Sequence, residues 1–220
     1  MARIKGTLRA VLAKTRASRS LAGAIVLYGT RCPIDRGKWR IIQRYIASVL
    51  SRNAGGRPRR LVCGNGFLFN LDLDNYVDPW VYLTGFFEKD DCLEALRAVG
   101  QRHGGVAFDV GAHMGVYTLG FSQTVGASGQ IHSFEPNPDS FKRLTEHISV
   151  NRCTNVALNR TAVGEHSGQK TLLAPKYLNT GGATLLQMQL PSSWKAQSME
   201  VQVTPWMNIA AKCRSGVLIS

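Results

Sequence analysis

The residues best placed to do chemistry lie between positions 106 and 137. Asp109 sits near the end of a short apolar run, Val106–Val110 (VAFDV), and is followed by Gly111-Ala112-His113-Met114-Gly115. Glycine removes the side chain and accepts positive φ, so this loop can turn sharply and let a ligand approach its backbone. Glu135 closes the next apolar run, QIHSF, 24 positions after Gly111. That interval is close to the ~20 residues that set an acid against ribose hydroxyls in a nucleotide-binding βαβ unit. A carboxylate suits a vicinal diol because it can accept two hydrogen bonds. A pyrophosphate loop calls for G-x-G-x-x-G. Here the spacing is G-x-x-x-G with an acid just before it. Asp109 would repel phosphate and attract a cationic amine. The expected ligand therefore has a ribose and a positive charge and no phosphate.

The elements that must position these groups follow from periodicity. VAFDV reads as a strand and Val116–Thr124 as a helix with Val116 and Leu119 inward, closed by GASG. QIHSF is a second strand. Asn137 is an N-cap with Pro138 in the first turn of a helix whose buried stripe is Phe141, Leu144 and Ile148. Val156, Leu158 and Ala162 suggest a third strand. Strand and helix alternating at these lengths predict an α/β fold, a doubly wound parallel sheet of Rossmann-like type. Upstream, Leu61–Leu73 alternates like a hairpin turning at Gly64-Asn65-Gly66. Asp91 and Glu94 resemble a capping box before a helix with Leu93, Leu96 and Val99 inward and Gly100 at its end.

Charge divides the chain. Residues 1–60 hold 15 Lys/Arg and one acid, Asp35, whereas residues 61–220 hold 12 Lys/Arg and 13 acids. The first part is expected to be a basic N-terminal arm with an amphipathic helix over Lys38–Leu50. The second is expected to be one nearly neutral domain. The helix is expected to pack its apolar stripe on the main domain with its charges solvated; the alternative is contact of its basic face with an anionic membrane surface or a partner. Nucleic acid is not an expected partner, because the amphipathic helix lacks interleaved aromatic and basic residues and the main region is neutral, with no N-P-P-Y-like motif. Cys32, Cys63, Cys92, Cys153 and Cys213 are dispersed and odd in number. They read as reduced thiols of a cytoplasmic protein, with no zinc site.

The stretch FDVGAHMGVYTLGFSQTVGASGQIHSFEPNPDSFKRLTEHISVNRCTNVALNRTAVGEHSG resembles the FkbM-type methyltransferases. The likeness is densest over 106–168, looser over 179–185, and extends upstream to Tyr82–Glu88 (YLTGFFE) and Pro33–Arg40. It implies a class I methyltransferase fold and S-adenosylmethionine as cofactor. That molecule carries an amine, a sulfonium and a ribose, in agreement with the loop chemistry. The resemblance also implies methyl transfer to a hydroxyl oxygen of a small molecule or glycan. Carried over position by position, Asp109, Gly111, Ala112, His113 and Gly115 form the loop on the methionine side. Glu135 holds the ribose with Asn137 beside it, and Ala162 and Val163 edge the adenine. Glu88 falls on the family's G-x-x-E, which offers it as an active-site group against the simpler reading of a surface acid before a helix, and no catalytic residue is assigned.

Two departures matter. The family usually has Asn where this chain has His113, and a protonated imidazole there would weaken binding of a sulfonium at acidic pH. The family also continues past a Val-rich hairpin into a fourth core strand carrying K-I-D-x-E-G. Here Glu200–Val203 fits the hairpin and Gly216–Ser220 the start of that strand, without the motif. The expectation is a cofactor-binding half whose first strand has an unpaired edge. The competing readings are an inactive remnant that at most binds the cofactor, an NAD-dependent oxidoreductase, and a nucleic-acid methyltransferase using the basic arm.

Overall fold

The computed structural model describes residues 59–63, 66–72, 75, 77–101, 104–175, 183–185, 196–210 and 216–219. The arm, the helix over Lys38–Leu50 and most of the 179–185 segment therefore lie outside the described residues. Two compact units are present, Met1–Gly85 and Phe86–Ser220. The composition break at residue 60 marks where the excess of basic residues ends, whereas the break at Gly85 is where the two compact units divide.

In the first unit, β1 (Arg59–Val62) and β2 (Leu68–Leu71) form the antiparallel hairpin expected from the alternation. Gly66 takes φ 85° in the connection, and the Cys63 amide donates to the Phe67 carbonyl at 2.9 Å. Helix α1 (Asp78–Thr84) follows and ends at Gly85 in the left-handed region.

The second unit opens with α2 (Lys89–Gly100). It starts earlier than the expected capping box, with Glu88 at the N-cap and no side-chain cap bond. Asp90 and Asp91 instead put negative charge into the first turn, where the helix dipole favours it. Then come β3 (Val106–Val110), α3 (Val116–Val125), β4 (Gln130–Phe134), α4 (Pro138–Val150) and β5 (Val156–Asn159). Strand β9 (Gly216–Ile219) completes a parallel sheet of order β5-β4-β3-β9. The order runs outward from β3 to β5, and the chain then returns to the other side of β3. The point between β3 and β9 is thus a topological switch point, the place where open α/β sheets bind ligands beyond their carboxyl ends. The expected Rossmann-like α/β fold with a parallel sheet is present. One expectation is corrected: β3 has no unpaired edge, because Val106–Asp109 pair with Gly216–Ile219.

Period-two alternation divides the sheet's two faces. Ala107 and Ile131 join Val99 of α2 and Phe121 and Val125 of α3 in one core cluster. Phe108 and Phe134 turn the other way, onto Ile209 of α5 (Trp206–Ala210). Full burial of side chains such as Phe121 and Ile131 is worth about 1.5–3 kcal/mol each.

A second sheet has the order β6-β8-β7, from Ala162–Gly164, Ala196–Pro205 and Gly168–Pro175. Its core holds Ala162, Leu172, Val201 and Val203. The sequence reading grouped Ala162 with the third strand. In the structure β5 stops at Asn159, and Thr161 turns the chain away. The Thr161 hydroxyl bonds the Gln202 carbonyl at 2.9 Å and lies 3.0 Å from the Thr204 hydroxyl, tying the chain to β8.

Candidate functional site

The loop between β3 and α3 bends through three left-handed residues, Gly111 (φ 81°), His113 (φ 48°) and Gly115 (φ 92°). Histidine is one of the few side chains enriched in that region, as is asparagine. The two glycines serve different ends. A Cβ at Gly115 would stand 2.6 Å from Cδ1 of the fully buried Leu144, so this glycine lets α4 pack under the loop. A Cβ at Gly111 would meet nothing within 4 Å. That position is exposed and leaves space over the loop for a ligand.

The loop is held from below. The Gly111 and Ala112 amides donate to the Phe134 carbonyl at 2.9 and 3.0 Å. Met114 is fully buried, and Nδ1 of the equally buried His147 lies 2.8 Å from its carbonyl oxygen. A carbonyl only accepts, so Nδ1 carries the proton. His147 was not singled out from sequence. Its signal was a polar residue within the apolar stripe of α4, three positions after Leu144.

Glu135 is 6% exposed and stands at the end of β4. Its Oε2 accepts from the His113 amide at 2.7 Å and its Oε1 from the Asn137 amide at 2.8 Å. Both oxygens are therefore fixed by backbone, and each keeps a lone pair for a further donor. Burial raises its pKa, the two amides lower it, and the charge of Asp109 raises it again. Asn137 caps α4, with its side-chain oxygen accepting from the Asp139 and Ser140 amides.

Asp109 is 7% exposed, on the face of β3 that meets α3. Its Oδ2 accepts from the Thr118 hydroxyl at 2.5 Å, and that hydroxyl lies 2.9 Å from Oγ of the fully buried Ser133. Burial pushes the carboxyl up to about 6, against the pull of the Thr118 hydroxyl and amide. Asp109 is thus turned to the first turn of α3, whose N-cap Gly115 has no side chain to offer. It acts on the loop through its charge and through the helix start. Thr118 and Ser133 were legible only as polar residues at inward positions of α3 and β4.

His113 is half-buried, and its imidazole is lowered to about 4 by burial and by Arg143 and His147. It is neutral at physiological pH, so the expected protonation at mildly acidic pH is corrected to a range near 4. Ala112 is buried in the loop. The side chain of Ala162 lies in the core of the second sheet, and Val163 packs against the cluster of Phe108, Phe134 and Ile209. Both are on β6, the strand that follows the end of β5. Glu88 is exposed, in the left-handed region at φ 54°. Burial pushes Tyr117 up to about 12, with smaller contributions from Cys92 and from the charges of Glu88, Asp91 and Asp109. The buried thiols of Cys63 and Cys92 are also pushed up to about 12, which makes both poor nucleophiles at neutral pH. No helix among the described residues is long and apolar enough to cross a membrane.

No protein-family model matches the chain, and no curated protein matches it. Solved structures do. A SAM dependent methyltransferase from Aquifex aeolicus aligns at 21% identity over 34% of this chain and 40% of its own, with a TM-score of 0.31. Trm5b from Pyrococcus abyssi aligns at 23% identity over 46% and 27%, with a TM-score of 0.33. TYW2 from P. horikoshii, solved in complex with MeSAdo, aligns at 17% identity over 59% and 50%, with a TM-score of 0.38. The chain spans half or less of the length of each. At these scores the alignments decide neither ligand nor acceptor.

Proposed function

We propose that this chain binds S-adenosylmethionine over the β3–α3 loop, and that it forms the donor side of an FkbM-like methyltransferase. The observation that carries the reading is Glu135. A buried carboxylate with both oxygens fixed by backbone amides stands beside an open, positive-φ Gly111 at a switch point of the sheet. Such an acid is oriented before the ligand arrives, and its remaining lone pairs suit a ribose diol. Two anionic groups at adjacent strand ends favour a cationic ligand and oppose a dinucleotide's pyrophosphate. When bound, the sulfonium supplies an electrophilic methyl group. This chain's residues then act by orientation, because in-line transfer depends mainly on the alignment of donor and acceptor. By the resemblance, the acceptor is a hydroxyl of a small molecule or glycan, and Ala162 and Val163 border the adenine.

Calorimetric titration with S-adenosylhomocysteine tests the proposal. One-site binding that is lost in Glu135→Ala is the expected result. A folded chain that binds neither this product nor S-adenosylmethionine would overturn it.

A further inference from the structure

We propose that Thr118 is the positioning residue of this site: its hydroxyl, itself backed by Ser133, fixes the Asp109 carboxylate and favours its anionic form. The inference rests on the S-adenosylmethionine reading above and extends it to regulation of that site by protons.

The hydrogen-bond directions follow from chemistry. An ionised carboxylate only accepts, so the single hydroxyl proton of Thr118 goes to Asp109 across 2.5 Å. The Thr118 oxygen is then the acceptor for Ser133, whose hydroxyl lies 2.9 Å away. Thr118 and Ser133 are both fully buried, so no water competes for either bond. The Asn159 side-chain amide donates to the Ser133 carbonyl at 3.2 Å and ties this chain of hydroxyls to the end of β5. The polar line thus runs across the sheet from β4 through α3 to β3, beneath the loop. A neutral Asp109 offers a cationic ligand no charge, so ligand binding and proton release are coupled.

The other groups around Asp109 set the background. Glu135 at the end of β4, Cys92 of α2 and Tyr117 of α3 all have their pKa values raised mainly by burial and further by its charge. Glu88 and Asp91 also bear on Tyr117, while Arg143 and His147 of α4 bear on His113 of the loop. Burial raises Asp109 itself to about 6, and the Thr118 bonds oppose that rise. Losing a hydrogen bond to the charged form is expected to move the group up by about one pH unit.

The test measures the affinity for S-adenosylmethionine from pH 5 to 8.5 in the wild type, Thr118→Ser, Thr118→Val and Ser133→Ala. In parallel, carboxyl ¹³C chemical shifts follow the titration of Asp109 without ligand. Wild type and Thr118→Ser are expected to share one midpoint. In Thr118→Val it moves up by about one unit, giving roughly fivefold weaker binding near pH 6, approaching tenfold at pH 5, and near-equal binding at pH 8.5. Ser133→Ala shifts it less, in the same direction, and serves if the valine variant does not fold. An Asp109 titration unmoved in both variants overturns the proposal, as does weakening that is equal at every pH. Shifted Asp109 titrations in a chain that never binds the ligand would leave Thr118 as the carboxylate's anchor and overturn the donor reading together with the regulation built on it.

Discussion

Replacing Asp109 by asparagine separates what this residue does for the fold from what it does for a ligand. The folded-state value of the carboxyl, about 6, lies above the ordinary 3.8. The fold therefore favours the protonated form. Stability tied to this group is full below about pH 4 and is lost as pH rises through about 6. The difference of about 2 pH units, at 1.36 kcal/mol per unit, sets a loss of about 3 kcal/mol at pH 8. Asparagine keeps an acceptor for Thr118 and removes the charge. Asp109→Asn is expected to be more stable than wild type at pH 8 by up to about 3 kcal/mol. At roughly 2–4 °C per kcal/mol, that is a Tm rise of up to about 6–12 °C. At pH 4 the advantage disappears, and the variant falls slightly below wild type because its buried amide needs a new partner. Scanning calorimetry of both proteins at pH 4 and pH 8 decides the matter. A variant less stable than wild type at pH 8, or a Tm gap that is the same at both values, refutes the reasoning. The same variant should bind S-adenosylmethionine more weakly at pH 8, so stability and affinity move in opposite directions.

The two loop glycines should fail in different ways. Gly115→Ala forces a methyl group against buried Leu144 as well as into a strained backbone, and chemical denaturation should show a loss of about 2–4 kcal/mol. Gly111→Ala bears the backbone strain alone, about 1–2 kcal/mol, yet should lose S-adenosylhomocysteine binding in a chain that remains folded; unchanged affinity there would place the ligand elsewhere. In Glu135→Gln one carboxylate oxygen becomes an amide that faces a backbone N–H, so calorimetry should show affinity at least tenfold weaker, and wild-type affinity would remove Glu135 from the site. His113→Asn should leave the pH profile of binding unchanged above pH 5, because the imidazole is already neutral there; a profile that flattens between pH 5 and 7 would assign the proton to His113 after all.

Much of this protein was legible in sequence because its signals are local. The strands at 106–110 and 130–134 declare themselves by short apolar runs bounded by turns, and the N-cap at Asn137 by its side chain and the following proline. Glu135 could be placed at a strand end by counting from Gly111, since a parallel βαβ unit has a narrow range of lengths. Local pattern also misled. Ala162 continued the alternation of the third strand, but hydroxyl contacts from Thr161 to β8, some forty residues downstream, decided its sheet. Only the tertiary structure revealed that β9 covers the flank of β3, that Gly115 exists for Leu144 while Gly111 faces open space, and that His147 anchors the Met114 carbonyl. It alone turned Asp109 toward Thr118 and set the burial that raises the Asp109 carboxyl and lowers the His113 imidazole. The physical reason is common to these cases. Secondary structure follows from the periodicity and turn chemistry of neighbouring residues, whereas burial, hydrogen-bond direction and proton affinity depend on atoms that folding brings together from distant parts of the chain.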